Sequence, residues 1–574
     1  MAYFAARKKR HFPMAKQISK KTSSPKSAPK VKTDAAPERW MPWVAAGLAF
    51  LLFATGFGNP MVAMDDHSAT LDNPAVKNFS LAVFTQFNLG MYAPLTWMGY
   101  AIANALGDGE ALWFHLFSAL AHAANAFLVF RLFRRLEGDA TVAFLIALFF
   151  AIHPMQVEAV SWIAAFSTPL FALFSLLAID AYVRHTRDEA IGKNYWLALG
   201  FFVLACLSKS AAVALPLSLL AVDLWLKRAP LSRQSLLEKA PFFALALGFG
   251  LFTFYTRAQA GHDVGALAGG FSIADRALMA CHTLLFYWAK LIAPIGLSIW
   301  YPFEKTAAGG WPWTYYAAPA VLAVLLWWVW RSREQAPFVF RGILFYLANI
   351  LFALPFYTIG TFELRSDRYN YLACLGIFAI LAGLPGFFRE KKPAQAGAAW
   401  ALLIVLPLIW FVTSWLRIRD WRDTVTLIEK AMAAQGDNFG KAYLWRGMAL
   451  GDRGEGRKAL EDFNRAISMN PGLTEAYKYR GGLLGMAQQF DASLADLNKY
   501  LEKYPNEPDI YYNRALTYVN LNRYEEALAD LNKALELAPD FTRAYRARGN
   551  VRKQLGDEAG GAEDLKKFEG MGPQ

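Results

Sequence analysis

The first 416 residues alternate long apolar runs with short polar breaks, and the remainder switches to an amphipathic pattern of fixed period. Apolar segments lie near 41–58, 111–130, 141–153, 160–183, 195–208, 210–226, 240–256, 276–293, 312–330, 339–359, 370–388 and 397–416. A helix needs roughly 20 apolar residues to cross a hydrocarbon core ~30 Å thick, so most of these predict spans. The runs at 141–153 and 195–208 fall short and need their flanking turns to complete them. Positive residues orient the spans. Arg131, Arg134 and Arg135 mark an inside loop, as do Arg184 with Arg187, and Lys227, Arg228 and Arg233. Arg331, Arg333 and Arg341 mark another, and Arg389, Lys391 and Lys392 a further one. Counting every segment would put 331–341 outside, against its three arginines. The conflict resolves if 276–293, which carries Arg276, His282 and Lys290, lies at the interface or re-enters. About eleven spans then remain, with the carboxy terminus on the side opposite the amino terminus.

From 440 to 574 the period is 34 residues. Tyr443, Tyr477, Tyr511 and Tyr545 keep it, as do Arg446, Arg480, Arg514 and Arg548, and Asp462, Asp496, Asp530 and Asp564. Pro471, Pro505, Pro539 and Pro573 close each unit, and Gly447, Gly481, Ala515 and Gly549 let two helices approach. This is the tetratricopeptide pattern: four helix–turn–helix units stacked as an α-solenoid, joined to the spans by a connecting helix within 417–439. Such arrays normally bind protein or peptide. The Arg and Asp columns fit an ion pair repeated once per hairpin more simply than a ligand ladder. The fold class is therefore all-α, a polytopic membrane domain over 40–416 followed by repeats over 440–574.

Composition agrees, with 55% apolar and 18% charged residues in 574, where soluble domains carry about a quarter charged. Cys206, Cys281 and Cys374 sit in apolar runs without metal-ligand spacing and read as small buried hydrophobes. Residues 1–39 hold eleven Lys/Arg against Asp34 and Glu38, a net +9 of the chain's +13. This Ser-, Pro- and Lys-rich tail reads as disordered and cytoplasmic, a basic flank ahead of a membrane anchor. The first apolar run comes too late and runs too long for a cleaved signal peptide. Charges nearly balance in the repeats, so nothing points to nucleic acid.

Ionisable groups at membrane depth are costly and need a reason. Four clusters fall on the outside by this topology. In the long loop 59–110, Asp65 and Asp66 precede His67; adjacent carboxylates suit a general base or a metal ligand, or simply a solvated helix cap. Tyr92 to Trp97 follow in the same loop. His153 and Glu158 interrupt an apolar stretch at the break between two spans. The run Phe362 to Tyr369 brings Arg365, Asp367, Arg368 and Tyr369 to a span boundary, where arginine's planar fork suits a phosphate. Lys209, between two further spans, is another outward cation, or a snorkelling one.

In this order the clusters resemble the transmembrane-and-tetratricopeptide-repeat proteins, a branch of the membrane glycosyltransferases with the GT-C fold. The likeness runs from about residue 60 onward through Asp65-Asp66, Pro94-Leu95-Thr96-Trp97, His153-Pro154 with Val157-Glu158-Ala159-Val160, and Leu207-Ser208-Lys209 with Leu215-Pro216. It continues through Tyr301-Pro302 and Asp367-Arg368-Tyr369 to the repeats. The resemblance implies transfer of a sugar, often mannose, from a polyprenyl-phosphate donor to an acceptor hydroxyl on the outer side of a bacterial inner membrane. Asp65 or Asp66 would take the acceptor proton or hold a divalent metal, and Glu158 would join them in catalysis. His153, Tyr92, Lys209, Arg365, Asp367, Arg368 and Tyr369 would bind substrate, and the repeats would recruit a protein acceptor. Two positions depart from the family pattern. Ala93 stands where a His or Arg is usual, and Phe166, Ser167 and Thr168 stand where an Arg/Lys-plus-Asp pair is usual. A membrane-anchored scaffold with a degenerate site is the rival reading; a transporter or flippase would need more charge at mid-membrane. The transferase reading requires Asp66, Glu158 and Arg368 to converge on one cavity beside a lipid-sized groove.

Overall fold

Helices account for the regular structure of the chain, because each apolar run can satisfy its own backbone only by coiling. The computed structural model describes residues 38–88, 90–188, 191–259, 271–302, 309–355 and 365–571; the basic tail to residue 37 lies outside them, as do Phe362, Glu363 and Leu364. Contacts divide the chain into 1–40 and 41–574, and the second part holds every element that follows. Among the described residues there is no sheet, only the isolated bridges Asn88–Met91 and Tyr301–Arg365.

The first helix, α1 (Met41–Ala54), leads into a loop with two single-turn helices, α2 (Asp66–Ala69) and α3 (Pro74–Lys77), and then α4 (Pro94–Gly107). Next come α5 (Ala111–Glu137), α6 (Ala140–Ile152), the short α7 (Gln156–Ser161), α8 (Ser167–His185), α9 (Lys193–Ser208), α10 (Leu215–Trp225) and α11 (Arg233–Gln259). The membrane part ends with α12 (Ile273–Ile292), α13 (Trp313–Arg331), α14 (Pro337–Ile350), α15 (Cys374–Lys391) and α16 (Pro393–Asp420). A linking helix, α17 (Thr424–Gln435), precedes four hairpins. They are α18 (Gly440–Asp452) with α19 (Gly456–Met469), α20 (Thr474–Met486) with α21 (Phe490–Lys503), α22 (Pro508–Asn520) with α23 (Tyr524–Leu537), and α24 (Thr542–Gln554) with α25 (Glu558–Met571).

Local chemistry sets several boundaries. Gly138, at φ +74°, closes α5, and Asp139 starts α6 by accepting from the amides of Thr141 and Val142 at 2.7 and 3.1 Å. Proline opens α4, α14 and α16, where its missing N–H costs nothing. Among the described residues, five segments are long and apolar enough to cross a membrane: α5, 163–185 containing α8, α11, α13 and α16. Shorter apolar helices, among them α1, α6 and α9, fill the bundle between them. Trp327 on α13 and Leu408 on α16 are exposed on the outside of the bundle, where lipid is the solvent of a membrane protein.

The bundle has two chemically different ends. At one, Asp180 near the end of α8 takes Arg135 of α5 at 3.0 Å, and Asp223 of α10 takes Lys239 of α11 at 2.6 Å. At the other lie the breaks after α6 and α9, the loop 59–110, and the end of α16. Both ends of α12 are there as well. Asp275 accepts from the Trp311 indole ahead of α13 at 2.6 Å, and the Leu291 carbonyl meets His153 at 3.1 Å. α12 therefore lies across that end, and it is not among the helices apolar and long enough to cross.

The repeats continue from α16 at the same end. Inside each hairpin the arginine of the first helix grips the aspartate of the second with two hydrogen bonds of 2.7–2.8 Å: Arg446–Asp462, Arg480–Asp496, Arg514–Asp530 and Arg548–Asp564. The two columns are thus the internal clamp of the fold rather than a free ladder. From the second hairpin on, the same arginine also reaches back to the preceding repeat, to Asn464, Asn498 and Asn532.

α14 and α15 cross at two glycines. A Cβ at Gly376 would collide with the Gly342 carbonyl and would lie 2.8 Å from the Tyr346 amide nitrogen, all backbone that cannot yield. Gly376→Ala is expected to destabilise the bundle by about 1–3 kcal/mol, read as a lower Tm of the detergent-solubilised protein. Gly386→Ala on the same helix, with nothing within 4 Å, should leave the Tm unchanged.

Candidate active site

Glu158 lies on α7, the single turn and a half that bridges the break between α6 and α8, and it is fully buried. Its carboxylate accepts from the Ser366 hydroxyl at 2.6 Å and the Arg368 backbone amide at 3.3 Å, and it forms an ion pair with the Arg368 guanidinium. Arg368 is sandwiched over the Trp162 ring, 4.9 Å from its centroid, and over Tyr369 at 5.4 Å. The Tyr287 hydroxyl brackets the Ser366 backbone, accepting from its N–H at 3.0 Å and donating to its C=O at 3.1 Å. A buried carboxylate needs a cation and donors of this kind, since desolvation is otherwise uncompensated.

Asp66 and Asp65 divide the work of the acidic pair. Asp66 is 1% exposed and spends both oxygens on backbone amides, accepting from Val62 at 2.9 Å and Ala164 at 2.8 Å. Burial pushes its pKa up to about 7, with those two hydrogen bonds pulling the other way. Asp65 keeps its side chain exposed. The surrounding protein raises its pKa, while Lys441 of the first repeat and Arg368 act to lower it. The loop is pinned to the site from two further points. The Tyr100 hydroxyl donates to the Ile163 carbonyl at 2.7 Å, and the Thr96 hydroxyl to the Ser208 carbonyl at 2.8 Å, fixing the end of α9.

Lys209, the next residue, donates to the Thr168 hydroxyl at 2.6 Å. Its surroundings bring its ammonium down to about 7, by burial first and then by Arg368, with Glu158 opposing. Asp65, Glu158, Lys209 and Arg368 thus share one electrostatic neighbourhood. Behind them, Asp367 accepts from the Tyr301 hydroxyl at 2.8 Å and pairs with Arg417 of α16 at 2.7 Å. Arg417 also donates to the Pro154 carbonyl at 2.8 Å, tying α16 to the α6–α7 break.

The other sequence-derived residues lie around this centre with their polar atoms already engaged. His153 is buried, takes the Met155 amide on Nδ1 at 3.2 Å and meets the Leu291 carbonyl through Nε2. Arg365 is turned away into the α12–α13 corner. There it donates to Thr283 at 3.2 Å and Tyr315 at 2.7 Å, and meets His282 at 2.6 Å. Tyr92 donates to the Phe84 carbonyl at 3.1 Å and packs on Phe252. Trp162, Arg417 and Lys441 were not among the sequence candidates. Of the residues that depart from the expected pattern, Thr168 takes Lys209, while two others fall together. Ala93 and Phe166 are both buried in the same apolar cluster with Trp97 and Tyr100, beneath the acidic loop.

No three His, Cys, Asp or Glu side chains gather as metal ligands among the described residues. With both Asp66 oxygens committed to amides, the acidic pair does not supply the oxygen-rich shell a divalent cation takes. A purely apolar groove of about 510 Å³ opens between α10, α12, α13 and α14, lined by Leu217, Leu220, Leu284, Leu322, Leu347 and Leu354 among others. α10 enters it from the turn that begins at Lys209.

Tetratricopeptide repeat families match residues 420–508 and 508–541. The carboxy-terminal hairpins are tetratricopeptide repeats. Across the membrane part as well, the chain is 22% identical over 462 residues to the protein O-mannosyl-transferase F38B6.6 of Caenorhabditis elegans, covering 75% of this chain and 62% of that one. It is 31% identical over 105 residues to the mouse protein O-mannosyl-transferase TMTC2, covering 18% and 13%. It is 30% identical over 167 residues to the Drosophila melanogaster protein O-mannosyl-transferase Tmtc2, covering 27% and 18%. The chain spans less than two thirds of the length of these curated relatives. Among solved structures, MamA from Desulfovibrio magneticus RS-1 is similar at 16% identity and a TM-score of 0.25, over 33% of this chain and 93% of that one.

Glu158→Gln should leave Arg368 without its counter-charge and lower stability by about 3–5 kcal/mol. The double variant Glu158→Gln/Arg368→Gln should recover part of that loss in a thermal-unfolding cycle; strict additivity would show the pair uncoupled. For Asp66, a folded-state pKa raised from 3.8 to about 7 gives stability that is full below pH ~4 and lost as pH climbs through 7. The Tm advantage of the wild type over Asp66→Asn is therefore expected to be greatest in acid, to shrink toward pH 7 and to level off above it.

Proposed function

We propose that the chain is a membrane glycosyltransferase of GT-C type, moving a sugar, with mannose the leading candidate, from a polyprenyl phosphate to a hydroxyl of a protein acceptor. The observation that carries the reading is the grouping around Arg368 of an exposed carboxylate, Asp65, the buried Glu158 and the Lys209 ammonium, with an apolar groove along the helix that follows Lys209; the space between these groups is the recess of this reading. The relatives named protein O-mannosyl-transferases support the same chemistry.

In this reading the groove takes the first isoprene units and the recess takes the phosphate and sugar. Asp65, whose pKa is raised by its surroundings, accepts the proton of the acceptor hydroxyl. The hydroxyl oxygen bonds to the sugar's anomeric carbon as the bond from that carbon to the phosphate oxygen breaks. The lipid phosphate leaves with the bonding pair, and Arg368 and Lys209 meet the charge it gains. Glu158 and the Trp162 and Tyr369 rings hold the Arg368 fork in place, while Asp66 fixes the loop that carries Asp65. No step needs a metal. Outward orientation follows from the arginine-rich opposite end, which the positive-inside bias assigns to the cytoplasm of a bacterial inner membrane. The repeats then lie on the acceptor side, where Lys441 borders the recess and the array recruits protein.

Purified full chain in lipid nanodiscs, given radiolabelled mannosyl-phosphoryl polyprenol and a panel of acceptor proteins, should transfer label. Arg368→Ala removes a transition-state donor and should slow transfer by about 10²–10³-fold. Asp65→Asn should abolish turnover while leaving donor binding in place. If the wild type neither transfers label nor binds the lipid donor, the protein is a scaffold.

A further inference from the structure

The four repeats share their clamp residues, so positions that break the 34-residue register are free to do something other than hold the fold. Four such variable positions fall together at the far end of the array. Arg543 on α24 stands where the second and third repeats have Glu475 and Asp509 and the first has Lys441. Arg546 stands where the first, second and third have Leu444, Lys478 and Tyr512. Asn550 occupies a column otherwise filled by Met448, Gly482 and Leu516. Phe568 on α25 replaces two alanines, Ala466 and Ala534, and a tyrosine, Tyr500.

All four line one pocket of about 370 Å³ between α22 and α24, together with Tyr512 and Leu516. Tyr512 and Phe568 give it aromatic walls, and its charged groups are the two guanidinium groups of Arg543 and Arg546. The Arg546 guanidinium lies 5.8 Å from the Phe568 centroid, and among the described residues it makes no ion pair. Arg543 lies 5.8 Å from the Tyr512 centroid and approaches Asp509 only at 4.0 Å, with both side chains exposed. An arginine laid flat on a ring keeps its edge donors free for a planar carboxylate, and the ring's remaining face takes an apolar neighbour.

We infer that this pocket binds an extended peptide segment in which an Asp or Glu side chain sits next to an aromatic one. The carboxylate pairs with Arg543 and Arg546, the peptide backbone with Asn550, and the aromatic residue fills the space between Tyr512 and Phe568. The chain's own basic tail has the wrong charge for this pocket, so the occupant is a separate protein. Binding here can be measured without any sugar transfer, and the inference stands independently of the proposed activity.

The test uses full chain in zwitterionic nanodiscs and fluorescein-labelled twelve-residue peptides, acetylated and amidated so that no terminal carboxylate contributes. One peptide carries Glu beside Phe, a second has every Glu replaced by Lys, and a third has every Phe replaced by Ser. The Glu/Phe peptide should bind at least about tenfold tighter than either other peptide, with affinity falling as salt rises. Arg546→Glu and Arg543→Glu should each weaken it by about tenfold or more, while Arg457→Glu, exposed on α19 and outside the pocket, should not. Equal binding of the Glu and Lys peptides, or an equal loss in Arg457→Glu, would overturn the inference. Circular dichroism of each variant separates loss of the pocket from loss of the fold, and a folded Arg546→Glu that binds normally would also overturn it.

Discussion

A carboxylate without solvent, placed where two apolar helices break, dictates the arrangement around it. Glu158 is fully buried, so a cation and hydrogen-bond donors must be brought to it. The segment 366–369 does this, delivering the Ser366 hydroxyl, the Arg368 amide and the Arg368 guanidinium together. That segment can reach Glu158 only because Tyr287 of α12 brackets its backbone and Asp367 is anchored to Arg417 and Tyr301. Elements far apart in the chain are thus drawn to one point by the requirement to neutralise one side chain.

The sequence exposes the scaffold of this arrangement better than its wiring. A 34-residue period is legible because the hairpin clamp needs the same Arg and Asp at the same offset each time. Helical spans are legible because lipid tolerates only long apolar runs, although the short runs leave the count to the geometry. Pairwise contacts follow a different logic. Arg365 and Arg368 are near neighbours in the chain, yet the extended backbone at the Tyr301–Arg365 bridge and the tight turn after it send them to opposite sides. Arg417 resembles any basic residue flanking a span, and Lys441 any surface lysine of a repeat; only the fold brings Arg417 to Asp367 and Lys441 toward Asp65. Trp162 carries no charge to draw attention, and its role is to lie beneath one.

The departures at Ala93 and Phe166 also make sense only in three dimensions. Read along the chain they are two separate losses of charge. Packed together with Trp97 and Tyr100, they form one apolar floor under the loop that holds Asp65 and Asp66. With apolar side chains at both positions, neither leaves an unpaired ion in that interior. Lys209 meanwhile finds a neutral partner in Thr168, so its charge is not cancelled within the protein.

The arginine of each later repeat holds its own aspartate and also the asparagine of the repeat before it, whereas Arg446, the first in line, reaches the Met432 sulfur at 3.6 Å instead. The same stitch recurs from one hairpin to the next, and the seam nearest the membrane is held by other means, the Arg453–Asp423 ion pair at 2.7 Å and the packing of Phe439 and Trp445 on Trp300. The array is therefore built like a boom rather than a flexible tether. Its reach is set in whole hairpins, so a lineage could lengthen or shorten it one unit at a time and change which cargo it brings in without redrawing the chamber at its base.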